Sequence, residues 1–401
     1  MTTALILSFS DLGRDPRVHR QIRFLAGMHR VIAVGYADPQ VEGVTFIRVE
    51  RGRKDAIGKV IAALQLIARR YERYYWRQAR VRSALEALAD VRADVVIAND
   101  IDALPLAVRL ARGAKVIYDA HEYAPRQFEN RRLFRWFFQS YVTHLCRTYI
   151  PRADAMMTVG QEIAKRYEAE TGVRPVVVTN APDYADLEPG AVAPGGRIRL
   201  VHHGRATPSR RLEKMIRAMD LLDERFELDF LLFGGSERYR EALEQQARPN
   251  PRIRFRDPVP MQDLPRFLNR YDMGIFLLEP FSFNARYALP NKLFEFIQAR
   301  LAVAVGPSPE MARIVEEYGV GVVAEDFTPE SFAAAIRSCT VERIGAFKRR
   351  AHEAARVLSA DANRETILAL VDRVLNGAGA SGSATPPRPI SGGRRWIAEV
   401  S

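Results

Sequence analysis

The sequence of 401 residues predicts an α/β protein built from two doubly wound domains in tandem. Short apolar runs such as ALIL, VIAV and DVVIA alternate with helical segments, and such runs are typical of parallel strands covered on both faces. A Pro/Gly-rich stretch, residues 181–197, interrupts the alternation and is interpreted as an interdomain linker, after which the alternation resumes. The length is also suitable for two domains of about 180 residues each.

The expected strands define the two domains, residues 1–180 and 198–360. In the first domain they are residues 4–10, 31–36, 44–49, 94–98, 115–119, 155–159 and 176–179. In the second they are residues 198–204, 227–235, 252–257, 273–278, 301–306 and 320–324. Residues 329–375 are expected to be mostly helical, and residues 376–401 lack a core-forming pattern, which is typical of disorder.

Composition limits the partners and the compartment. The net charge of +12 implies an anionic partner, which could be nucleic acid, an anionic membrane or a phosphorylated substrate. No apolar run approaches the roughly 18–20 residues of a membrane span, and the start MTTALILSFSDLGRDPR does not resemble a signal peptide. Two distant cysteines, Cys146 and Cys339, predict neither a disulfide framework nor a zinc site. The expected compartment is the cytoplasm.

Two phosphate-binding motifs are missing from the sequence. It contains no G-x-x-x-x-G-K-[ST], and no G-x-G-x-x-G follows a strand. An ATPase and a dinucleotide-binding enzyme therefore lose their main support.

The loop after the first strand, in FSDLGRDPRVHRQ, is a candidate anion site. It leaves the strand through Gly13 and enters a helix that Asp15 can cap, with Pro16 at the first helical position. Backbone amides at this turn, with Arg17 and Arg20, could receive an anion. Helix capping with solvated arginines explains the same residues equally well.

Polar residues also follow two strands of the first domain. VIYDAHEYAPR places Asp119, His121 and Glu122 directly after an apolar strand, and Asp100 follows the strand before it. Side chains at the carboxyl ends of such strands face the ligand crevice. His121 could hydrogen-bond a ligand hydroxyl or move a proton, although a lone histidine is often structural.

The second domain has a basic loop after its first strand, in HHGRATPSRRLEKMIRAM. Gly204 permits a tight turn, and Arg205 and Arg210 flank a loop that ends at a helix start. Two guanidiniums converging across a loop suit a diphosphate, although a solvated basic face is the alternative. The next strand ends in LLFGGS, where Gly234 would let a ligand approach the backbone.

The stretch ALPNKLFEF places a lysine and a glutamate near the start of a Pro-led helix. Lys292 in the first turn opposes the helix dipole by roughly 0.3–1 kcal/mol unless an anion joins it. A diphosphate at this amide-rich end would remove the conflict, and Glu295 is suitably spaced for the hydroxyls of an attached ribose. A simple Lys292–Glu295 ion pair explains the same residues, and the stretch alone does not decide between them.

Together these motifs resemble a known family. GRATPSRR, LLFGGS, RIRFRDPVPMQDLPRFLNRYDMGIFLLEP and ALPNKLFEFIQARLAVAVG resemble the nucleotide-sugar domain of GT-B glycosyltransferases, those of glycosyltransferase family 4 in particular, and DPRVHRQ and DAHEY are also similar to that family. The resemblance covers about residues 1–375. It implies the GT-B architecture, two Rossmann-like domains facing a cleft, with residues 361–375 forming a helix that crosses back to the first domain.

The resemblance also implies a reaction: retaining, metal-independent transfer of a sugar from a nucleoside diphosphate, with no cofactor besides that co-substrate. Arg205 and Arg210 would neutralise the diphosphate, Glu295 would hold the ribose diol, and His121 would approach the donor sugar or the acceptor. The departing diphosphate would help to deprotonate the acceptor. Further donor contacts are assigned to Gly13, Gly204, Gly234, Asn291, Lys292 and Leu293. Acceptor-side candidates are Arg17, Asp100, Asp119 and Glu122.

The sequence departs from the family pattern at one position. The family often has two glutamates eight positions apart, and Glu295 matches the second, but Tyr287 stands where the first is expected. Glu279 is too far upstream to replace it. This departure leaves two alternatives open, a nucleotide-sugar epimerase on the same fold and a catalytically silent nucleotide-sugar-binding protein.

Residues 51–82 point to the acceptor side, because they contain ten basic and two acidic residues. A stripe at helical spacing comprises Ile57, Ile61, Leu64, Ala68, Tyr71 and Tyr75. With the basic and aromatic residues 130–141, it suits the headgroup layer of an anionic membrane, which predicts peripheral attachment to the inner membrane face and a glycan, lipid-linked or secondary-metabolite acceptor. Packing of the stripe on the first domain is equally open. No recognised nucleic-acid-binding module accompanies the charge.

Overall fold

The computed structural model describes residues 1–52, 56–192 and 195–377. The chain divides into two compact units. The first comprises Met1–Thr179, Ser282–Asn284 and the C-terminal segment from Asn363, and the second comprises Asn180–Phe281 and Ala285–Ala362. Most of the stretch expected to be disordered, from residue 378 onward, lies outside the described residues.

In its described residues, the first unit contains a parallel seven-stranded sheet in the order β3-β2-β1-β4-β5-β6-β7. The strands are β1 Thr3–Ser8, β2 Arg30–Gly35, β3 Thr45–Arg48, β4 Val95–Asn99, β5 Lys115–Ala120, β6 Ala155–Thr158 and β7 Val176–Val177. β1 pairs with β2 on one side and β4 on the other, with Ala4 opposite Val31 and Val95. The strand order reverses between β1 and β4, and ligands of such sheets bind beyond the carboxyl ends at this point.

The second unit repeats this plan with a parallel sheet of six described strands, in the order β10-β9-β8-β11-β12-β13. The strands are β8 Ile198–Ala206, β9 Phe226–Gly235, β10 Ile253–Arg256, β11 Met273–Phe276, β12 Ala302–Val305 and β13 Gly321–Val323. Leu200 of β8 lies opposite Leu228 of β9 and Met273 of β11. The order therefore reverses between β8 and β11, which makes their carboxyl ends the expected ligand crevice of this unit.

Helices connect the strands. The α-helices are α1 Pro16–Ala26, α2 Ala56–Ile67, α3 Tyr71–Trp76, α4 Ala79–Ala87, α5 Leu104–Leu110, α6 Gln139–Tyr149, α7 Gln161–Thr171, α8 Glu213–Leu221, α9 Glu237–Ala247, α10 Leu264–Leu268, α11 Phe283–Arg286, α12 Asn291–Gln298, α13 Pro309–Tyr318, α14 Pro329–Arg337, α15 Val341–Ala355 and α16 Ala360–Leu375. Short 3₁₀ turns span Ala124–Arg126, Ile150–Arg152 and Pro208–Arg210, and a π-helical turn spans Phe134–Phe138. None of the helices in the described residues combines the length and apolar character that a membrane span requires.

The start of α1 shows how the local sequence sets a helix end. Asp15 is the N-cap, and its side chain accepts a hydrogen bond from the amide of Val18 at 3.3 Å. Pro16 occupies the first helical position, where no amide hydrogen is needed. The predicted capping role of Asp15 is thus confirmed.

The second sheet separates two apolar cores, because successive strand residues point to opposite faces. Leu200 of β8 packs in one core with Ile216 of α8, whereas its neighbour Val201 packs in the other with Phe294 and Phe296 of α12. These two phenylalanines fix α12 against the sheet. The first turn of α12 is therefore held near the carboxyl end of β8.

Candidate functional site

Three cations of the second unit converge at the end of β8. Gly204 has a φ of +137°, and a Cβ there would lie 2.9 Å from Nη1 of Arg210 and 3.0 Å from Nζ of Lys292. Only a residue without a side chain lets both cations come this close to the strand. Arg205 is exposed next to Gly204. The structure therefore brings together the basic loop and the Pro-led helix that the sequence singled out separately.

Lys292 is buried, and its ammonium contacts two uncharged rings. It lies 3.1 Å from Nε2 of His202 and 3.9 Å from the ring centroid of Phe276. Burial, reinforced by nearby Arg210 and opposed by Glu295, lowers the pKa of Lys292 well below its ordinary value. Within the residues that the structure describes, no carboxylate forms an ion pair with Lys292, Arg205 or Arg210. Such a cluster binds an anion favourably, because the anion supplies the missing countercharge.

His202 is held as a neutral ring by its own contacts. Its Nδ1–H donates to the carbonyl of Ile275 at 2.9 Å, so Nε2 accepts from Lys292. Burial and the charge of Lys292 both lower the pKa of His202. No sequence motif predicted a role for this residue, although two histidines directly before a glycine at a strand end are a usable signal.

Glu295 lies one turn along α12 and faces the second of these histidines. Its Oε2 lies 3.2 Å from Nε2 of His203, and both side chains are buried. The two atoms do not form a hydrogen bond, because Nε2 of His203 has no hydrogen-bond partner in the described part of the chain. Burial, followed by the charges of Lys292 and Arg210, lowers the pKa of His203.

The first turn of α12 provides part of the expected amide site. Pro290 is the N-cap, and the amide of Leu293 already donates to its carbonyl at 3.1 Å. Asn291, half-buried, opens the helix. The amide of Asn291 is thus better placed for an anion than that of Leu293, and both assignments stay predictions.

The two glycines that end β9 serve different purposes. A Cβ on Gly234 would lie 4.0 Å from the guanidinium of Arg205, which is ordinary contact distance. A Cβ on Gly235 would lie 2.1 Å from the carbonyl oxygen of Ala206. Gly235 is therefore required by strand packing, and Gly234 borders the cationic cluster.

The position that departs from the family pattern contains no substitute carboxylate. Tyr287 is half-buried, and the guanidinium of Arg286 lies 5.7 Å from its ring centroid. Glu279 is engaged elsewhere, because its carboxylate lies 2.9 Å from Nζ of Lys214.

In the first unit, Arg17 and Asp119 form a buried two-bond pair. Nε and Nη2 of Arg17 donate to the Asp119 carboxylate at 2.9 and 2.6 Å, and Nη1 donates to the carbonyl of Val178 at 2.8 Å. Gln21 donates to the same carboxylate at 3.1 Å. Burial would raise the pKa of Asp119, but Arg17 outweighs it, and the pKa is lowered. This saturated network gives both residues a structural role that the sequence analysis did not foresee.

His121 stands beside this network and is half-buried. Nε2 lies 3.1 Å from Oδ1 of Asn99, and Nδ1 lies 3.4 Å from Oδ2 of Asp100. Asp100 has a φ of +63°, a left-handed conformation that turns its carboxylate toward His121. Burial raises the pKa of Asp100. Gly13 is exposed and follows β1, whereas Asp100 follows β4. These are the two strands between which the strand order reverses.

Glu122 follows directly and has an unusual protonation equilibrium. Its carboxylate accepts hydrogen bonds from Gln127 at 2.5 Å and from Asn284 at 3.0 Å. Burial raises the pKa of Glu122 to about 7, with a further contribution from Asp100. The group can therefore exchange a proton near neutral pH. Among the described residues, no group of three or more His, Cys, Asp or Glu side chains could hold a metal ion.

The basic and aromatic segment of the first unit divides into a buried and an exposed part. Tyr71 and Tyr75 pack in the interior, although the sequence placed them on the same stripe as Ile57 and Leu64. One face of α2 is exposed. It comprises Ile57, Val60, Leu64 and Ile67, which are 59–70% exposed. α2 lies against the π-helical turn Phe134–Phe138, where Trp136 is also 69% exposed.

Comparison with known proteins identifies the class of protein. Residues 17–186 match the family model Glycosyltransferase Family 4, and residues 197–340 match Glycosyl transferases group 1. These matches cover most of both units, so the protein is a glycosyltransferase. It belongs to the group with two Rossmann-like domains, the GT-B glycosyltransferases, as the resemblance of its motifs implied.

Solved structures agree on the fold. HepE from Anabaena, in complex with UDP, has a TM-score of 0.67 at 13% identity, over 93% of this chain and 100% of that one. Sucrose-phosphate synthase from Thermosynechococcus elongatus has a TM-score of 0.66 at 14% identity, over 93% of this chain and 99% of that one. WaaG, a glycosyltransferase involved in lipopolysaccharide biosynthesis, has a TM-score of 0.60 at 14% identity, over 94% of this chain and 100% of that one. None of the curated protein sequences compared matches this chain.

Proposed function

We propose that this protein transfers a sugar from a nucleoside-diphosphate donor to a hydroxyl acceptor, with retention and without a metal ion. The observation that carries the proposal is the group of three cations around Gly204, Lys292 among them, with no carboxylate paired to any of them in the described residues. A diphosphate would supply two negative charges there and accept forked hydrogen bonds from Arg205 and Arg210. As the donor breaks down, the same cations would stabilise the leaving diphosphate.

Glu295 completes the donor site in this proposal. Its carboxylate lies 3.2 Å from Nε2 of His203 and can accept hydrogen bonds from both hydroxyls of a ribose. The switch point between β8 and β11 is where such a fold binds nucleotides. HepE, which has the same fold, is described in complexes with UDP and with UDP-glucose, and this supports a nucleoside-diphosphate sugar as donor.

The acceptor hydroxyl is assigned to the first unit. Asp100, His121 and Glu122 follow two adjacent strands, and their side chains offer polar atoms for an incoming hydroxyl. Arg17 and Asp119 contribute indirectly in this proposal, because their buried pair lies beside His121. Oδ2 of Asp119 is 3.9 Å from Nε2 of His121. Catalysis in this scheme consists of positioning and charge stabilisation, without a protein nucleophile.

The exposed apolar face of α2 supports peripheral attachment to an anionic membrane, on its inner face. Lys59, Arg69 and Arg70 are exposed on or next to the same helix and would meet anionic headgroups. Flotation with phosphatidylglycerol liposomes tests this directly. Leu64→Asp should lower the floated fraction, whereas Met261→Asp, an equally exposed position of the second unit, should not. No flotation of the unaltered protein at low salt would overturn the attachment.

The reaction itself is tested by incubating the protein with UDP-, GDP- and dTDP-sugars in the absence of acceptor. Slow hydrolysis of one donor supports a transferase, and the configuration of the released sugar reports retention or inversion. Formation of an epimer would support a nucleotide-sugar epimerase instead. Binding without turnover would identify a silent nucleotide-sugar-binding protein, the alternative that Tyr287 keeps open.

A further inference from the structure

The first unit contains a cavity of about 680 Å³ whose two ends differ in chemistry. One end is polar and carries the carboxylates of Asp100, Asp102 and Glu122. The other end is mostly apolar, with Phe128, Leu133, Phe134, Phe138, Tyr141 and Val142 in its lining, and it also includes Arg131 and Arg132, which are exposed. A volume of this size is typical of a small-molecule site.

The polar end has capacity for a ligand hydroxyl. Asp102 is engaged with Arg80 at 2.9 Å, whereas Asp100 faces His121 at 3.4 Å. Glu122 is held in position by two amide donors, Gln127 and Asn284, which leaves carboxylate lone pairs for a further donor. This end of the cavity is therefore lined by Asp100 and Glu122, two of the residues already assigned to the acceptor hydroxyl.

The apolar end forms a wall of rings that reaches the surface. Phe134 stacks on Phe138 with centroids 6.5 Å apart and meets Phe128 edge-on at 5.7 Å. Phe128 is 41% exposed and Leu133 65% exposed, although both line the cavity. Large apolar side chains grouped at the mouth of a cavity favour a ligand that covers them.

The π-helical turn that forms part of this wall also packs against α2. Phe134 and Phe138 belong to the π-helical turn against which α2 packs, and Trp136 of the same turn is exposed. Exposed apolar side chains therefore continue beyond the wall of the cavity, at Leu133 and Trp136.

We infer that the cavity binds the acceptor and that the acceptor is amphiphilic, with its hydroxyl at the Asp100–Glu122 end and an aliphatic chain along the Phe128–Phe138 wall. This inference rests on the proposed function, because it makes the cavity's ligand the acceptor of that reaction. It narrows the acceptor to a lipid-linked molecule. Each methylene buried on the wall should strengthen binding about threefold to fourfold.

Calorimetric titration of the full chain with three probes tests the inference: n-octyl β-D-glucoside below its micelle concentration, phenyl β-D-glucoside and glucose. We expect the octyl glucoside to bind at least 30-fold more tightly than glucose, and more tightly than the phenyl glucoside. Phe128→Ser should weaken octyl glucoside binding about tenfold. Leu64→Ser, on α2 outside the cavity, is the control and should leave it unchanged.

Several outcomes would overturn the inference. They are equal binding of octyl glucoside and glucose, a preference for the phenyl probe, or loss of binding in Leu64→Ser but not in Phe128→Ser. A second wall variant, Phe138→Ser, covers the case in which Phe128→Ser fails to fold. UDP, GDP and dTDP are titrated in parallel, and the best of them should bind Phe128→Ser as it binds the unaltered protein. Failure of all three nucleotides would instead contradict the proposed donor site.

Discussion

The ammonium of Lys292 donates to Nε2 of His202 at 3.1 Å, and the second nitrogen of that ring donates to a backbone carbonyl. The histidine therefore has to be neutral, and it gives the buried lysine a hydrogen bond without a countercharge. Glu295 attracts the ammonium electrostatically but forms no ion pair with it in the described part of the chain. An anion would therefore be the first group to pair directly with the lysine, which is how a site pre-organised for an anion differs from a stabilising ion pair.

Replacing Lys292 by methionine should separate binding from stability. We expect affinity for the nucleoside diphosphate to fall about 100-fold, or ~3 kcal/mol, because one cation is lost from a buried site. The free energy of unfolding of the empty protein should stay within about 1 kcal/mol, since the lysine has no ion pair to lose. Lys348→Met is the matched control: Lys348 is equally buried but donates to Tyr271 O at 2.8 Å and lies 3.8 Å from Asp272. That variant should lose about 3 kcal/mol of stability and retain nucleotide affinity.

The lowered pKa of Lys292 predicts proton uptake on ligand binding. A bound diphosphate stabilises the charged ammonium and raises its pKa, so a fraction of a proton is taken up and affinity weakens as the pH rises. Calorimetry at pH 8, where the terminal phosphate is already ionised, should give a binding enthalpy that depends on the ionisation enthalpy of the buffer. The dependence should disappear in Lys292→Met. Equal dependence in both proteins would assign the proton to another group.

Gly204→Ala tests the close approach of the cations. A Cβ at a φ of +137° is strained, and here it would also displace Arg210 and Lys292. We expect stability to fall by about 1–3 kcal/mol and nucleotide affinity to fall more than tenfold. Gly113→Ala, at a φ of +100° with no atom within 4 Å of the added Cβ, reproduces the strain without the contact. It should lose stability only, and an equal loss of nucleotide affinity there would count against the site.

Glu295→Gln should weaken binding through the ribose alone. A carboxylate that accepts from both hydroxyls contributes about 1–2 kcal/mol more than an amide, so UDP should bind roughly tenfold more weakly. The loss should be smaller for 2′-deoxy-UDP, which offers one hydroxyl fewer. If the protein binds a nucleoside diphosphate with another base more tightly than UDP, the same comparison is made with the ribose and 2′-deoxyribose forms of that nucleotide. Equal losses for both sugars would show that Glu295 acts through the cations and His203 instead.

Glu122→Gln should change the pH dependence of stability. The pKa of Glu122 in the folded chain, about 7, lies above the ordinary 4.5, so protonation favours the folded state. Its contribution is complete below the ordinary value and is lost as the pH rises through 7. Relative to the glutamine variant, the unaltered protein should lose about 2–3 kcal/mol between pH 5 and pH 8 in urea unfolding. Glu86→Gln, exposed on α4, should show no such difference.

The strands were largely predictable from the sequence, because a parallel sheet buried on both faces leaves continuous apolar runs. All expected strands are present, although β7 is shorter, at Val176–Val177. The local motifs around Gly204 and Lys292 were also visible, since each lies directly after a strand or at a helix start. Their convergence depends on packing of α12 against β8, which no local pattern contains.

The residues whose surroundings the sequence did not predict are those whose partners are far away in the sequence. Arg17 looked like a surface cation beside a helix start, but its partner is Asp119, 102 positions later. Tyr71 and Tyr75 shared a helical period with Ile57, but the helix breaks before α3, and the later segment turns inward. Helical spacing places residues on one face only when they belong to the same uninterrupted helix.

The contacts of Arg17 also bear on the synthesis of the chain. Its three donor nitrogens are satisfied by Asp119 and by the carbonyl of Val178, so the buried charge is fully paired only after β7 has been made. A nascent chain that ends before that strand would hold an incompletely paired guanidinium in its interior, at a cost of several kcal/mol. The sheet of the first unit should therefore close on the ribosome only after residue 178 has left the exit tunnel, and not strand by strand as each emerges.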